Sequence, residues 1–479
     1  MEAINIFLEK EQKAKLFDRE LFGINYWEYI RPLVSCETNS TISNTSAMFS
    51  KTKTSFSKYA LNIKNIKSYF LHNNSCDILV ISQPRRVKTK NGYRSNYVDY
   101  YIDYLKEDYK VMALEEPSWS SLGVSNKAHD FPLYTKNIYL TDIHELLFLV
   151  RKKGYRIFHP KKYKMILEEY EIVNKIVNSW YKKGHRPIVF KEYFKDSLIR
   201  LDIDKKYVKK VLNKTKPKAV MLHYMPSIFK EMMINECNKR NIKTIEIQHG
   251  TITKIDPLVN HCYDLSKIHN DNQYIFSFGL LQVNPYALTI KNMDNVISIG
   301  FPFFEEKLKE MEKKKHKKKY ILIISQSTIG DDIAKFTSEL ADLLEKENYK
   351  IVFKYHPSEI PKNYMCLKKK NIIEIKTEKT IYDIQQESMI QIGSYSTSLY
   401  EGFAMKIPTL VIRTMFGSIE TVDIFKDIKQ GVYYIDKPQD VLNYLNRNNI
   451  TPLKKDIEKL WQSDSKNRLK KEVKKIIGR

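Results

Sequence analysis

Short apolar runs rich in β-branched residues recur along this chain, and each stops at polar groups before a stretch with helical periodicity begins. CDILVIS from Cys76, YKVMALE near Val111, KAVMLH near Val220, IKTIEIQ near Ile245, QYIFSFG near Phe276 and NVISIG near Ile297 follow this pattern. In the later part it restarts with YILIIS from Tyr320, YKIVFKYHP, NIIEI, MIQIGS and TLVIRT. Between most of them lie helical patterns such as VDYYIDYL, ELLFLVRKKGYRIF, YKMILEEYEIVNKIV, SIFKEMMINECNKRN and FTSELADLLEKE. Continuous apolar strands alternating with helices demand a parallel sheet, so the chain is restricted to the α/β class with doubly wound sheets. At 479 residues it exceeds a single ordinary core. Three strand ends carry conspicuous chemistry: IEIQHG ending at Gly250, IVFKYHP ending at Pro357 and MIQIGSYSTSLYEG ending at Gly402. Ligands of open α/β sheets collect at the carboxyl ends of strands, so one cleft built from two halves is expected, and a nucleotide is its expected occupant.

The domain layout follows from breaks in this pattern. Residues 1–70 are read as a helical segment with a polar linker, TNSTISNTSAMFSKTKTSFSK from Thr38 being rich in serine and threonine. Residues 71–308 form a first Rossmann-like domain on the acceptor side. The charged run KEMEKKKHKKK from Lys309 to Lys319 marks the boundary, and residues 309–450 form a second, nucleotide-binding Rossmann-like domain. Residues 451–479 are read as a basic terminal helix that packs back on the body.

The net charge of +25 attracts polyanions. Lysine greatly outnumbers arginine, however, and the excess is spread along the chain without a nucleic-acid signature. No nucleic-acid partner is therefore expected, while an anionic membrane face or a phosphorylated substrate fits the charge. The five cysteines are scattered without Cys-x-x-Cys spacing, which favours a reducing cytoplasm and gives no zinc or thiol site. The start, MEAINIFLEKEQKAKLF, has early acidic residues and no continuous apolar core, so no secretory or transit segment is expected, and no stretch has the roughly 20 apolar residues of a spanning helix.

In GSYSTSLYEG, Gly393 ends a strand, Ser394 to Ser396 make a polar turn, and Thr397 opens a helix whose N–H groups and positive end suit a phosphate. Glu401, about one turn further in, is placed to accept ribose hydroxyls. His356 stands at a strand end stopped by Pro357, where an imidazole can donate to a phosphate oxygen, with Lys354 nearby. His249 follows Gln248 and precedes Gly250; its ordinary pKa suits removal of a proton from an attacking hydroxyl, and a hydrogen-bonded turn histidine is the plain alternative. Ser325 and Gln326, before Asp331 and Asp332, either line the cleft or form a strand-to-helix turn. Arg85, Arg86 and Arg94 are candidates to meet an anionic acceptor. LDID at Leu201 to Asp204 lies in a helical stretch, and no metal requirement is implied.

With these residues assembled, the chain resembles the two-domain, GT-B-type glycosyltransferases of bacterial surface polysaccharide synthesis. The resemblance rests on QHG at Gln248 to Gly250, the FSFG and IGFP segments, HP at His356 and Pro357, and GSYSTSLYEG with downstream KIPTLVI, and covers roughly residues 217 to 415. The HP and Ser-Ser/Thr pattern is similar to bacterial sialyltransferases and Kdo transferases, and also to CDP-glycerol glycerophosphotransferases. The resemblance implies a GT-B fold, two Rossmann-like doubly wound domains facing a central cleft. It implies that His356, Ser396 and Thr397 hold the donor phosphate and Glu401 the ribose, and Ser325, Gln326, Pro357 and Ser394 are expected beside them in the nucleotide site. The resemblance makes His249 the acceptor-activating base or a neighbour of it; from the residues themselves, His356 is expected to assist departure of the nucleotide, and Gln248 with Arg85, Arg86 and Arg94 to meet the acceptor, the plain alternative for the arginines being a soluble surface. The expected activity is metal-independent transfer of a sugar from a nucleotide-sugar donor to a glycan or lipid-linked glycan of capsule or lipopolysaccharide. No cofactor is implied, and a CMP-linked sugar is the favoured donor. The Asp/Glu-Asp/Glu-Gly motif of many sialyltransferases is absent, which leaves the donor open. A polyol-phosphate transferase, a nucleotide-sugar 2-epimerase and a non-catalytic glycan-binding relative are the alternatives. The expected location is the cytoplasm, with peripheral contact at the cytoplasmic face of the inner membrane.

Overall fold

The computed structural model describes residues 2–42, 75–82, 86–116, 133–135, 138–180, 188–223, 227–252, 268, 271–283, 293–313, 320–356, 359, 364–376, 379–415, 422, 424–446 and 451–478. The chain divides into two compact units. The first comprises Met1–Phe276, Pro285–Ile297 and Lys466–Arg479, and the second Ser277–Asn284 and Ser298–Ser465. Division therefore does not fall at one point near residue 308: the helix Pro302–Glu312, which holds the start of the charged run, belongs to the second unit. The basic tail is two helices, Lys454–Leu460 and Ser465–Ile477, and the units part between Ser465 and Lys466.

The first sheet has seven strands: β1 (Ile78–Ser82), β2 (Val111–Glu115), β3 (Ile138–Leu140), β4 (Ala219–His223), β5 (Lys243–Ile247), β6 (Tyr274–Ser277) and β7 (Val296–Ser298). Their order is β7-β6-β5-β4-β1-β2-β3, with parallel pairing recorded from β6 through β3. The second sheet has six: β8 (Tyr320–Ile324), β9 (Lys350–Lys354), β10 (Ile372–Ile375), β11 (Ser388–Gly393), β12 (Thr409–Ile412) and β13 (Val432–Ile435). Its order is β10-β9-β8-β11-β12-β13, parallel throughout. In both sheets the chain starts in the middle, runs to one edge over three strands, then returns to lay its fourth strand against the first. This is the strand order of Rossmann folds, and it reverses between β1 and β4 and again between β8 and β11. The expected α/β class is thus present in both units.

Alternation along β8 shows how the second unit is wound. Ile321 and Ile323 share one face with Ile351, Phe353, Ile390 and Ile392, under α9 (Gly330–Leu343) and α12 (Pro438–Leu445). Leu322, Ile324 and Val352 turn to the other face and meet Ile384 of α10 (Ile381–Gln386) and Leu399 of α11 (Thr397–Ala404). A strand buried on both faces is apolar along nearly its whole length, as YILII is.

In the first unit, one face of β1, β2 and β4 packs in a core with α5 (Pro160–Ser179), α6 (Lys191–Thr215) and α7 (Ile228–Lys239). Residues read as a separate helical segment join that same core. They form α1 (Glu2–Lys13) and α2 (Trp27–Ile42), interrupted by a hairpin, Glu20–Leu21 paired with Ile24–Asn25. Phe22 (φ 57°) and Gly23 (φ 72°) take the left-handed region that a continuous helix does not allow. Phe7, Trp27 and Ile30 are wholly buried, and Glu11 accepts from Trp27 Nε1 at 2.8 Å and pairs with Arg31 at 2.7 Å. Of the polar stretch beginning at Thr38, the first five residues end α2 and residues 43–74 lie outside those described.

The glycines of FSFG and IGFP have a packing cause. A Cβ on Gly279 would stand 2.1 Å from the carbonyl oxygen of Leu460, and one on Gly300 (φ 89°) 2.1 Å from that of Gln462. The segment after α13 (Lys454–Leu460) runs against both: Gln462 N–H donates to Phe278 O at 2.7 Å, and Trp461 stacks on Phe278 with centroids 5.5 Å apart.

Candidate active site

In the second unit, parallel register brings three sequence-predicted positions to one sheet edge. Ile324 pairs with Lys354 and Ile323 with Ile392, so Ser325, Tyr355–His356 and Gly393–Ser394 emerge side by side where the strand order reverses. Ser325 is wholly buried and donates through Oγ to Glu359 Oε1 at 3.1 Å. The other carboxylate oxygen, Oε2, accepts the backbone N–H of His356 at 3.1 Å, and Tyr364 Oη donates to Oε1 at 2.8 Å. Glu359 therefore ties the β8 end to the β9 end. A Cβ on Gly330, at the start of α9, would lie 2.3 Å from Glu359 Oε1, so glycine leaves the room this carboxylate occupies. Burial lowers the His356 pKa, against a raising effect of Glu359, so the imidazole is neutral at neutral pH and one ring nitrogen carries a proton to donate. Lys354 donates to Lys376 O. Gln326 is buried, and Asp331 and Asp332 are exposed in the first turn of α9. Pro357 lies outside the described residues.

Ser396 caps α11: its Oγ accepts from Ser398 N–H at 3.2 Å, which leaves Thr397 as the first helical residue. Glutamines fix this helix start against the sheet. Gln391 of β11 donates to Leu399 O at 2.7 Å and to Thr409 Oγ1 at 2.7 Å, while Gln385 donates to Gln391 Oε1 at 3.0 Å and to Ser398 O at 2.8 Å. Gly402 is required beside them, since its Cβ would stand 2.0 Å from Gln391 Oε1. Trp461 Nε1 donates to Tyr400 O at 2.9 Å and braces the helix further. Glu401 is buried, accepts from Tyr382 Oη at 2.9 Å, and has its pKa pushed up to about 7 by burial, which that hydrogen bond only partly offsets.

In the first unit, His249 follows β5 and is half-buried. Its backbone carbonyl accepts from Tyr97 Oη at 3.1 Å. Tyr97 also stacks on His223, the last residue of β4, at 4.2 Å between centroids, and His223 meets the His249 ring edge-on at 6.2 Å. His223 is almost wholly buried, and Lys230 Nζ donates to its carbonyl at 2.9 Å. Gln248 is wholly buried, and its amide donates to Gly250 O at 2.8 Å; it holds the turn in place of the expected acceptor contact.

The arginines differ likewise from expectation. The basic loop after β1 is a hairpin, Arg86–Thr89 with Gly92–Ser95, turned at Lys90–Asn91. Arg86 is buried within it, pairs with Asp99 at 2.6 Å and with Glu115, and Glu115 also accepts from Ser82 Oγ at 3.0 Å. Arg94 pairs with Asp103 at 2.8 Å and lies over Tyr100 at 3.5 Å. Arg86 is thus neutralised inside the unit and not offered to an anionic acceptor, whereas Arg94 shares the single carboxylate of Asp103 with Lys106. Arg85 lies outside the described residues. The LDID carboxylates are engaged as well: Asp202 with Tyr155 and Lys162, Asp204 with His144 and Arg200.

Glu359, His223, Tyr97 and the Gln385–Gln391 pair were not singled out by sequence reasoning. Glu359 carried a signal, a carboxylate three residues after a strand-end histidine. Tyr97 and His223, distant in sequence, carried none.

No family model and no curated protein matches the chain. It is similar to solved structures at low identity. UDP-GlcNAc 2-epimerase from Methanocaldococcus jannaschii shares 11% identity over 83% of this chain and 99% of that one, TM-score 0.48. MurG of Acinetobacter baumannii shares 10% over 84% and 100%, TM-score 0.43, and the wall teichoic acid polymerase TagF 12% over 88% and 92%, TM-score 0.37.

Proposed function

We propose that the chain is a metal-independent, GT-B-type glycosyltransferase that passes a sugar from a nucleotide-activated donor to a bacterial surface glycan. The observation that carries this reading is the edge of the second sheet at its reversal. There His356, the Ser394–Thr397 turn and the start of α11 stand together, on a backbone held by Glu359 and the glutamine pair. Small hydroxyls, a neutral imidazole and a helix N-terminus favour an anion. Donor phosphates are assigned to Gln326, His356, Ser394, Ser396 and Thr397, and the ribose to Glu401, while the expected contact of Ser325 is replaced by its bond to Glu359. His249 takes the proton of the acceptor hydroxyl as its oxygen bonds to the anomeric carbon. The bond from that carbon to the donor phosphate oxygen breaks, and the nucleotide leaves with the electron pair, stabilised by helix-end N–H groups and His356.

Calorimetric titration with CMP, CDP, UDP and GDP, with and without magnesium, tests this assignment. A preference for CMP, lost in His356→Ala, is expected; absence of binding by all four removes the nucleotide site. Incubation with donor alone separates the reactions, because an epimerised sugar formed without acceptor identifies an isomerase.

A further inference from the structure

We infer that the corner between α4 (Asp142–Phe158) and α5 is a docking tip for the surface of a lipid bilayer carrying anionic headgroups. A single residue, His159, separates the two helices, and Pro160 opens the second. At this corner Ile157 and Phe158 are each 76% exposed. Val150 and Met165 are exposed behind them. Val150 and Ile157 are seven residues apart and so share one face of α4. A Cβ on Gly154 would lie 2.8 Å from Phe158 Cε2, so the ring folds back along the helix over a glycine.

Charge identifies the occupant. Between Glu145 and Glu168 the sequence has no acidic residue and carries a run of lysine and arginine. Lys152 and Lys162 pair with Asp196 and Asp202, whereas Arg151, Arg156 and Lys161 form no ion pair with a described residue. Apolar side chains flanked by cations match the acyl boundary and the phosphates above it. A second copy of the chain fits poorly, because an isologous contact would set this basic corner against itself. A protein partner fits poorly too: four side chains on one corner fall short of the about 800 Å² per partner of a stable interface. Among the described residues no helix is long and apolar enough to cross a membrane, so the tip would act from the surface.

Flotation of the full chain with phosphatidylcholine vesicles, plain or containing phosphatidylglycerol, tests the inference without any nucleotide, so its outcome is separate from that of the transferase reading. Binding to the anionic vesicles alone is expected. Arg151→Gln with Arg156→Gln and Lys161→Gln should weaken it about 100-fold, at roughly fivefold per cation. Ile157→Ser with Phe158→Ser should weaken it at least about tenfold with an unchanged melting temperature, since both side chains are exposed. Control replacements Lys455→Gln, Lys471→Gln and Lys474→Gln, exposed elsewhere, should leave binding nearly intact. Equal binding to neutral vesicles, no flotation, an equal loss in the control, or indifference to the serine pair would each overturn the proposal. So would a concentration-dependent dimer that dissolves on Phe158→Ser.

Discussion

Glu401→Gln isolates one titration in the second unit. Burial holds the folded-state pKa of Glu401 near 7, against an unfolded value of 4.5. Between these values the folded chain binds the proton and the unfolded chain does not, so this group's contribution is full below pH 4.5 and is lost as pH rises through 7. Two pKa values 2.5 apart, at 1.36 kcal/mol per unit, correspond to about 3 kcal/mol in total, of which about 2.5 kcal/mol falls between pH 5 and pH 8. Glutamine keeps an acceptor for Tyr382 Oη and has no charge to desolvate. The variant should therefore match the wild type to within about 1 kcal/mol at pH 5 and exceed it by about 3 kcal/mol at pH 8. Urea unfolding followed at pH 5, 6, 7 and 8 reads the difference directly, and the comparison cancels every other titrating group. Nucleotide binding should run the other way. An ionised carboxylate accepts ribose hydroxyls more strongly than the neutral acid, so affinity should rise from pH 6 to pH 8 in the wild type and stay level in the glutamine variant. A stability difference that does not change with pH would refute the burial argument; a parallel pH profile of affinity in both proteins would refute the ribose assignment.

Arg86→Met should cost about 3–5 kcal/mol, because it leaves Asp99 and Glu115 buried without their partner; an altered acceptor KM with unchanged stability would instead restore the acceptor role. Gly300→Ala should cost about 3 kcal/mol, from its left-handed φ and the 2.1 Å approach to Gln462 O, and calorimetry should place the loss in the second unit's transition. His249→Ala should lower kcat about 10²–10⁴-fold with nucleotide affinity unchanged, whereas His223→Phe, which keeps the stack on Tyr97, should lower it less and shift the pH profile.

Much of the fold was legible because parallel strands buried on both faces are predominantly apolar. CDILVIS, KAVMLH, YILIIS and TLVIRT all become strands. What escaped was structure without that signature. Ile138–Leu140 and Val432–Ile435 are edge strands only partly buried, and the hairpin at Arg86–Ser95 lacks an apolar strand pattern because its outward residues are polar. Helical spacing over residues 1–35 concealed the turn at Phe22–Gly23, where backbone conformation overrides periodicity. Strand ends could be named from sequence, but not the pairings made there. A conspicuous arginine such as Arg86 advertises a ligand equally well whether its carboxylates lie in a substrate or, like Asp99 and Glu115, within its own unit.

The two sheets share a strand order, and electrostatics separates their roles. Where the second sheet reverses, the groups are hydroxyls, glycine, a neutral imidazole and a helix start, and Glu359 is turned inward to backbone and hydroxyl donors. Where the first reverses, Ser82 and His223 are flanked by two buried carboxylates at the end of β2, Glu115 and Glu116, the latter accepting from Ser227 Oγ at 2.9 Å. Arg86 and Lys230 are already paired with these carboxylates, so neither cation is offered to a nucleotide phosphate brought there. In the proposed transferase, donor binding falls to the second unit and proton removal to the first. Calorimetry checks the division: His356→Ala and Thr397→Val should weaken nucleotide affinity about tenfold or more, and His249→Ala should not move it, while the reverse pattern would exchange the roles of the two units.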